Sequence, residues 1–489
     1  MAVKSNQKAG VQFRVLSDDQ INQIFKAALA LLEKPGTRIH SQEAAGILAK
    51  AGAKVAGEIA FIPSSLVKET LRSVPQGIEL SDRDCKPAMT LAGHCIYYGT
   101  GSDCPFILDA KSGERRPFVK KDIEDAARVV DACPNMDFHM SLGLMSDAPT
   151  YSYDRHQAAA MLRNTTKPLV LTAMSRHALS DILEMYYLLR GGRDAFEVSP
   201  GFVIYIEPTT PLIQSKAALE KLIFSAERRI PAIYTPCPIA GATAPVTLAG
   251  ALALATAEFL SGMVISQLKR RGAPLIMGGV VSSMDMRTTI LTYGSPELLL
   301  LSAALTDIAH WMKIPMFSTA GCSDSKSMDE QAAAEAALSI MAAGLSGANL
   351  IHDVGFLESA LIGSHEMVVL SDEIVGMVKH FLRGVRVDEE ALAVDLIRAV
   401  GPGGNFLAEE HTARNLRREF WFPKLMDRTK YGPWQEAGSR RLGERLKERA
   451  AEILATHKVA PLPKKVDAGI NEILAAADKK AGADQTSLV

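Results

Sequence analysis

Eight times this chain passes from a short apolar stretch that reads as strand into a stretch with helical periodicity. The strand stretches are 95–101 (CIYYGTG), 137–146 (DFHMSLGLMS), 168–175 (PLVLTAMS), 201–208 (GFVIYIEP), 231–238 (PAIYTPCP), 274–282 (PLIMGGVVS), 314–321 (IPMFSTAG) and 348–355 (ANLIHDVG). The helical stretches after them are 121–132, 153–164, 179–189, 216–229, 247–269, 296–311, 329–345 and 365–382. Strands alternating with helices form parallel sheets covered on both faces, and eight such units close on themselves. The pattern predicts the α/β class and a (β/α)8 TIM barrel over 88–384. It also predicts where chemistry sits, because such barrels react at the C-terminal ends of their strands.

Both flanks break the alternation. Residues 17–87 read as a helical cap: Ser17 is a helix-start residue, followed by Ile21, Ile24, Phe25 and Leu31 at helical spacing. Residues 88–119 alternate, with a turn at 110–113 that predicts a small hairpin. Beyond 384 the helical stretches 389–400 and 439–457 predict a C-terminal helical extension over 385–489, whose tail from 461 packs at the edge or is mobile. Three segments are therefore expected, 1–87, 88–384 and 385–489.

The 54 basic and 55 acidic side chains nearly cancel, which gives no reason to expect nucleic acid or an anionic membrane as partner. The first residues carry no apolar run like a signal peptide, and six scattered cysteines without CxxC fit reduced thiols, so a cytoplasmic protein is expected. The stretch 247–268 holds one charge, Glu258, over a length that could span a bilayer. Its small residues and its place between two strands favour a buried helix.

At the strand ends stand Tyr97, Tyr98 and Asp103; Thr172 and Met174; Tyr205 and Glu207; Tyr234 and Cys237; Ser318 and Thr319; then His352, Asp353 and Phe356. Aromatic residues make up 6% of the chain, yet four of its ten tyrosines fall in three of these ends. Ring faces and a carboxylate suit a cation that cannot donate hydrogen bonds, such as a quaternary ammonium, with Glu207 as the acid. The plainer alternative is rings packed under loops with their hydroxyls wet. His352 reads equally as a packing residue or as a positioning group, and strand alternation turns Asp353 to the opposite face. No HxxxH, HxH or CxxC supplies metal ligands, and no dinucleotide fingerprint or GxSxG is present. An aldolase or lyase would need a Schiff-base lysine or a metal carboxylate cluster at these ends, and neither stands out.

Six longer motifs carry a family resemblance: GTGSDCPFILDAKSGERRPF (99–118), PIAGATAPVTLAGALALATAEFLSG (238–262), DMRT with YGSPE (285–288, 293–297), SDSKSMDEQAAAEA (323–336), SGANLIHDVGFLESAL (346–361) and GPGGNFLAEEHTARNLRREFWFPKLMDR (401–428). The chain resembles the trimethylamine methyltransferase family, and within it the pyrrolysine-free branch of glycine betaine:corrinoid methyltransferases. The resemblance implies a (β/α)8 barrel that moves a methyl group from an amine to the Co(I) of a separate corrinoid-binding protein. It implies no cofactor held tightly by this chain. The segment 323–335, where pyrrolysine is expected, holds standard residues, which favours a quaternary amine, already activated, over trimethylamine. Asn405 departs from the His expected in many relatives. Glycine betaine leads as substrate, ahead of proline betaine, carnitine and γ-butyrobetaine, with a non-catalytic binder of quaternary amines as the rival of another class. A betaine brings a carboxylate, for which Arg287 and Lys326 are the candidate anchors. The rings Phe420, Trp421, Phe422 and Trp434 either border the mouth or close the side of the barrel. A homo-oligomer is expected.

Overall fold

The computed structural model describes residues 10–110 and 112–486, so the expectations on residues 1–9 and on Lys111 in the hairpin turn lie outside it. Seven strands form one parallel sheet, in the order Tyr97–Thr100, Leu350–Val354, Met316–Thr319, Leu275–Gly278, Ala232–Tyr234, Phe202–Ile206 and Leu169–Leu171. Each lies inside a predicted stretch. The predicted strand 137–146 is the exception. It makes only single bridges, Phe138 with Gly99 at one edge of the sheet, His139 with Leu169 at the other, and Gly143 with Cys104 in the loop beyond the first strand. Asp137 N–H donates to the Tyr98 carbonyl, His139 N–H to the Pro168 carbonyl and Val170 N–H to the His139 carbonyl. Side chains add to these bonds: the Thr100 hydroxyl donates to the Met140 carbonyl and accepts from the Met140 N–H, while Tyr98 N–H donates to Asp137 Oδ2. Leu142, at φ 64°, then turns the chain away. The sequence expectation of eight regular strands is corrected to seven strands and one bridging segment.

Strand alternation sorts the side chains. Tyr97, Val170, Val203, Ile233, Ile276, Phe317 and Leu350, one from each strand, pack with Phe138 and Met140 in an inner cluster. Their neighbours of opposite parity, among them Tyr98, Ile204, Tyr234, Met277 and Ile351, join the core shared with the helices. Each fully buried aliphatic side chain contributes roughly 2 kcal/mol.

Eight helices follow: Lys120–Ala132, Tyr153–Asn164, Arg176–Arg190, Lys216–Arg228, Leu248–Lys269, Pro296–Met312, Glu330–Ser346 and His365–Leu382, within three residues of their predicted ends. Ser175, Ser295, Asp329 and Ser364 accept the N–H three residues on, which caps four of them. Gly191 and Gly347, at φ 85° and 80°, stop two of them in the left-handed region.

Leu248–Lys269 is long and apolar enough to cross a membrane, yet 83% of its most apolar stretch is buried. It packs against Asp18–Glu33, Ser64–Leu71 and Lys216–Arg228. Its Glu258 is fully buried, accepting Leu212 N–H at 2.7 Å and the Thr210 hydroxyl at 2.9 Å, and burial pushes its pKa up to about 7. A carboxyl raised this way supports the fold fully below its unfolded pKa and loses that support as pH rises to the folded value. The loss is about 3 kcal/mol at most. Glu258→Gln keeps the shape and both contacts, since the Thr210 hydroxyl also accepts. Thermal unfolding is expected to show the variant several degrees above wild type at pH 8 and level with it at pH 5. An offset that does not change with pH would refute the assignment.

The first flank is not wholly helical. Helices Asp18–Glu33, Gln42–Lys50 and Ser64–Leu71 are present, the first with a Ser17–Gln20 capping box. Between them Thr37–Ile39, Ile59–Phe61 and Lys54–Ala56 pair as a small sheet that Ile213–Gln214 joins. Strands of three residues are too short to show a period of two. Gly77–Ser81 and Pro87–Ala92 form an antiparallel pair whose Ile78, Leu80, Met89 and Leu91 enter the inner cluster and close the N-terminal end of the sheet. The predicted hairpin is present as Phe106–Leu108 with Arg115–Pro117. In the last flank Ala393, at φ 49°, divides the predicted helix into Glu389–Leu392 and Val394–Val400. The tail is the helix Lys464–Thr486, which packs on Arg176–Arg190 and buries Ile470 and Leu474.

Candidate functional site

A cavity of about 350 Å³ opens at the C-terminal ends of the strands. Its wall comes from nearly every unit: Ser102 and Asp103 after the first strand, Met140 from the bridging segment, Tyr205 and Glu207, Cys237 and Ile239, Val280, Leu291 and Tyr293, then His352, Asp353, Phe356 and Ala360. Larger grooves, of about 1250 Å³ and 730 Å³, run between outer elements and hold none of these residues.

Parity explains which side chains arrive. Val203 lies in the inner cluster, so Tyr205 and Glu207, two and four residues on, follow the same face up to the cavity. The Tyr205 hydroxyl donates to Glu207 Oε2 at 3.1 Å and lies 3.8 Å from Cys237 Sγ. Glu207 is exposed at the mouth, yet enough protein surrounds its carboxyl for desolvation to raise its pKa. Asp103 is raised for the same reason.

His352 is held from three sides. Its ring centroid is 3.9 Å from that of Phe317, and its Nδ1–H donates to the Ser318 carbonyl at 2.8 Å. Nε2 therefore faces outward, 3.1 Å from Asp353 Oδ1, and one proton fits between the two atoms. The Thr319 hydroxyl donates to Asp353 Oδ2 at 2.6 Å. Burial lowers the His352 pKa and raises that of Asp353, so each favours its neutral form, with the carboxyl O–H donating to imidazole. Adjacent strand residues normally point to opposite faces, as the sequence reading assumed. Here the register shifts between Ile351 and Val354 and Asp353 takes φ 73°, which turns both side chains into one cavity. Asp103, at φ 70°, is likewise in the left-handed region. With Ala360, at φ 69°, three non-glycine residues of one cavity wall hold this strained backbone, a concentration found at working sites.

Of the residues picked from sequence, the structure brings together Asp103, Tyr205, Glu207, His352 and Phe356. It does not bring five others there. Tyr97 begins its strand rather than ending it, so it packs in the inner cluster and its hydroxyl accepts from Thr90 N–H. Tyr98 has outward parity, and its hydroxyl donates to the Ile340 carbonyl in the helix layer. Tyr234 also points outward, donating to Gln214 Oε1 and pressing on Gly262. Arg287 is on the Asp285–Ile290 turn with its side chain 90% exposed, and Lys326 donates to the Asp324 carbonyl from the surface. The aromatic stretch 401–434 packs along His365–Leu382, through the Glu373 carboxylate with Lys424, Leu425 and Met426 N–H and through Arg383 with Glu419. That helix runs from the mouth towards the opposite end of the sheet, so these contacts lead away from the cavity.

Tyr293 is the residue that sequence reasoning passed over. It lies in the YGSPE motif but on no strand. Asp324 places it, accepting Tyr293 N–H at 2.7 Å and Gly294 N–H at 2.9 Å. The segment 323–335, where pyrrolysine was expected, thus supports the wall without lining it. Lys221 was also missed. Its charge partly offsets the desolvation that raises Glu207 and Asp103, while its Nζ donates to the Ala173 carbonyl at 2.7 Å and stays outside the lining. Among the described residues no group of three or more His, Cys, Asp or Glu could hold a metal ion.

A sequence profile of trimethylamine methyltransferase (MTTB) matches residues 2–482. The chain belongs to the trimethylamine methyltransferase family. Family relatives include the glycine betaine methyltransferase of Desulfitobacterium hafniense, 32% identical over 96% of this chain and 98% of that protein. A trimethylamine methyltransferase from another strain of that species is also 32% identical, over 94% of this chain and 92% of its own length. Among solved structures, the monomethylamine methyltransferase of Methanosarcina barkeri covers 92% of this chain and 89% of its own, with TM-score 0.49 and 12% identity. The homologues are methyltransferases, and this chain is an enzyme of that class.

Proposed function

We propose that this methyltransferase takes a methyl group from a quaternary amine and gives it to the Co(I) of a separate corrinoid protein, in the cytoplasm. The observation that carries the reading is the cavity wall: rings from Tyr205, Tyr293 and Phe356, carboxyls from Asp103, Glu207 and Asp353, and, among the described residues, no lining Lys or Arg. Ring faces and carboxyls hold a cation that has no N–H to donate. In this reading the bridging segment completes the seven strands as a (β/α)8 barrel over 88–384, with 1–87 as cap and 385–489 as extension.

The acceptor supplies the nucleophile. The bond from cobalt to the methyl carbon forms as the C–N bond breaks, and the C–N electron pair stays on nitrogen, so a neutral tertiary amine leaves. The substrate's positive charge is lost on the way, which a dry site favours. The chain's own work is to bind the cation, exclude water and hold the C–N axis in line with the open mouth. His352, locked by Phe317 and Ser318, forms a fixed part of the wall on which the substrate is oriented.

The test mixes the purified chain, a reduced corrinoid protein and a panel of glycine betaine, other betaines, choline, tetramethylammonium and trimethylamine, and follows corrinoid methylation by absorbance. Methylation from a quaternary member is expected. Calorimetric binding with no methylation by any of them would point instead to a non-catalytic binder. A pH series adds a second check. The ionised Glu207 binds the cation, and its pKa is raised, so KM is expected to be flat at high pH and to rise as pH falls through a value above the ordinary carboxylate range. A KM that improves on acidification would contradict that role.

A further inference from the structure

A betaine has two charged ends, and the cavity offers partners for only one of them. The acidic and basic groups on its wall are Asp103, Glu207 and the His352–Asp353 pair. His352 brings no spare positive charge: Nδ1–H is committed to the Ser318 carbonyl, and any charge at Nε2 is cancelled by Asp353 3.1 Å away. The basic side chains nearby are engaged elsewhere. Lys221 donates to Ala173, Lys326 to Asp324, and Arg287 stands in solvent 3.5 Å from Asp285. A substrate carboxylate in this space would be desolvated beside Asp103 and Glu207 with no opposite charge to pair with, a combination that rejects a ligand. A quaternary nitrogen meets the opposite situation. At about 350 Å³ the cavity stands at the small end for organic ligands, so both ends of a betaine would lie within reach of these carboxyls.

Resting on the quaternary-amine reading above, we infer that this cavity selects a quaternary ammonium whose second end is uncharged, an alkyl or hydroxyalkyl group, and discriminates against betaines. Similarity to a glycine betaine methyltransferase at 32% identity is compatible with a different choice of substrate, because one or two charged residues in a wall decide whether a carboxylate is accepted.

Calorimetry on the full chain, with tetramethylammonium, choline and glycine betaine as separate titrants, tests this without any corrinoid. Tetramethylammonium and choline are expected to bind at least tenfold more tightly than glycine betaine. In Glu207→Gln, choline is expected to weaken and the ratio of the two affinities to fall towards one. Glycine betaine binding as tightly as choline, or none of the three binding, would overturn the inference. The broader reading fails separately, when the binding order is as expected but no titrant methylates a reduced corrinoid protein.

Discussion

Alanine at Gly101 is expected to lower kcat/KM about a hundredfold while leaving the protein folded. The Cβ it adds would lie 2.3 Å from Asp353 Oδ1 and 2.3 Å from the Phe356 ring, both in the cavity wall. Neither can retreat freely. Asp353 is tied to Thr319 and His352 and already holds a left-handed backbone, while Phe356 is buried in the core. Overpacking of this kind costs about 1–3 kcal/mol, a modest fall in melting temperature for a chain of this size. The catalytic loss is larger, since a displacement of about 1 Å in a positioned site costs roughly a hundredfold. Steady-state kinetics alongside thermal unfolding separate the two effects. A kcat/KM within threefold of wild type would show that the Gly101–Asp353–Phe356 contact does not shape the working site.

Removing the charge of Glu207 is expected to divide the kinetic constants. In Glu207→Gln the amide oxygen can still accept from the Tyr205 hydroxyl, so the wall keeps its shape. A unit charge about 5 Å from a cation is worth about 3 kcal/mol at an effective dielectric of about 20, and about 1 kcal/mol in water. Glu207 stands at the mouth, between these limits, so about 2 kcal/mol is appropriate, roughly thirtyfold in affinity. The substrate's charge disappears in the transition state, so this carboxylate stabilises bound substrate more than the transition state. KM should therefore rise about thirtyfold and kcat should hold or increase. A kcat that falls with KM unchanged would mean that Glu207 acts on the chemical step instead.

The strand–helix alternation was legible because its elements are long and periodic: seven strands and eight helices lie where their patterns put them. The bridging segment was not, because its backbone hydrogen bonds divide between the two edges of the sheet and are supplemented by the Thr100 and Asp137 side chains, which leaves no periodic trace. The five predicted residues that line the cavity sit two or four positions beyond an inner-cluster residue or in the loop after a strand. The three predicted tyrosines that lie outside the cavity show the limit of that reasoning. A strand shifted by one residue reverses every side chain, and a strand end misplaced by three moves a residue from mouth to floor. Parity keeps Tyr98 and Tyr234 out of the cavity, and depth keeps Tyr97 out.

Sequence by itself determined the α/β class, the sense of the sheet, the end at which the cavity opens and the family, because these depend on periodicity and on motifs read along one chain. Tertiary structure alone decided which charges share a space. Asp353 joins His352 through a bulge and a left-handed backbone, Tyr293 reaches the wall through Asp324, and Arg287 and Lys326 remain outside. Each of these depends on contacts between residues distant in sequence, or on one backbone angle, and neither is encoded in local pattern. The chemistry of the cavity, carboxyls and rings with no lining Lys or Arg among the described residues, is the sum of those placements.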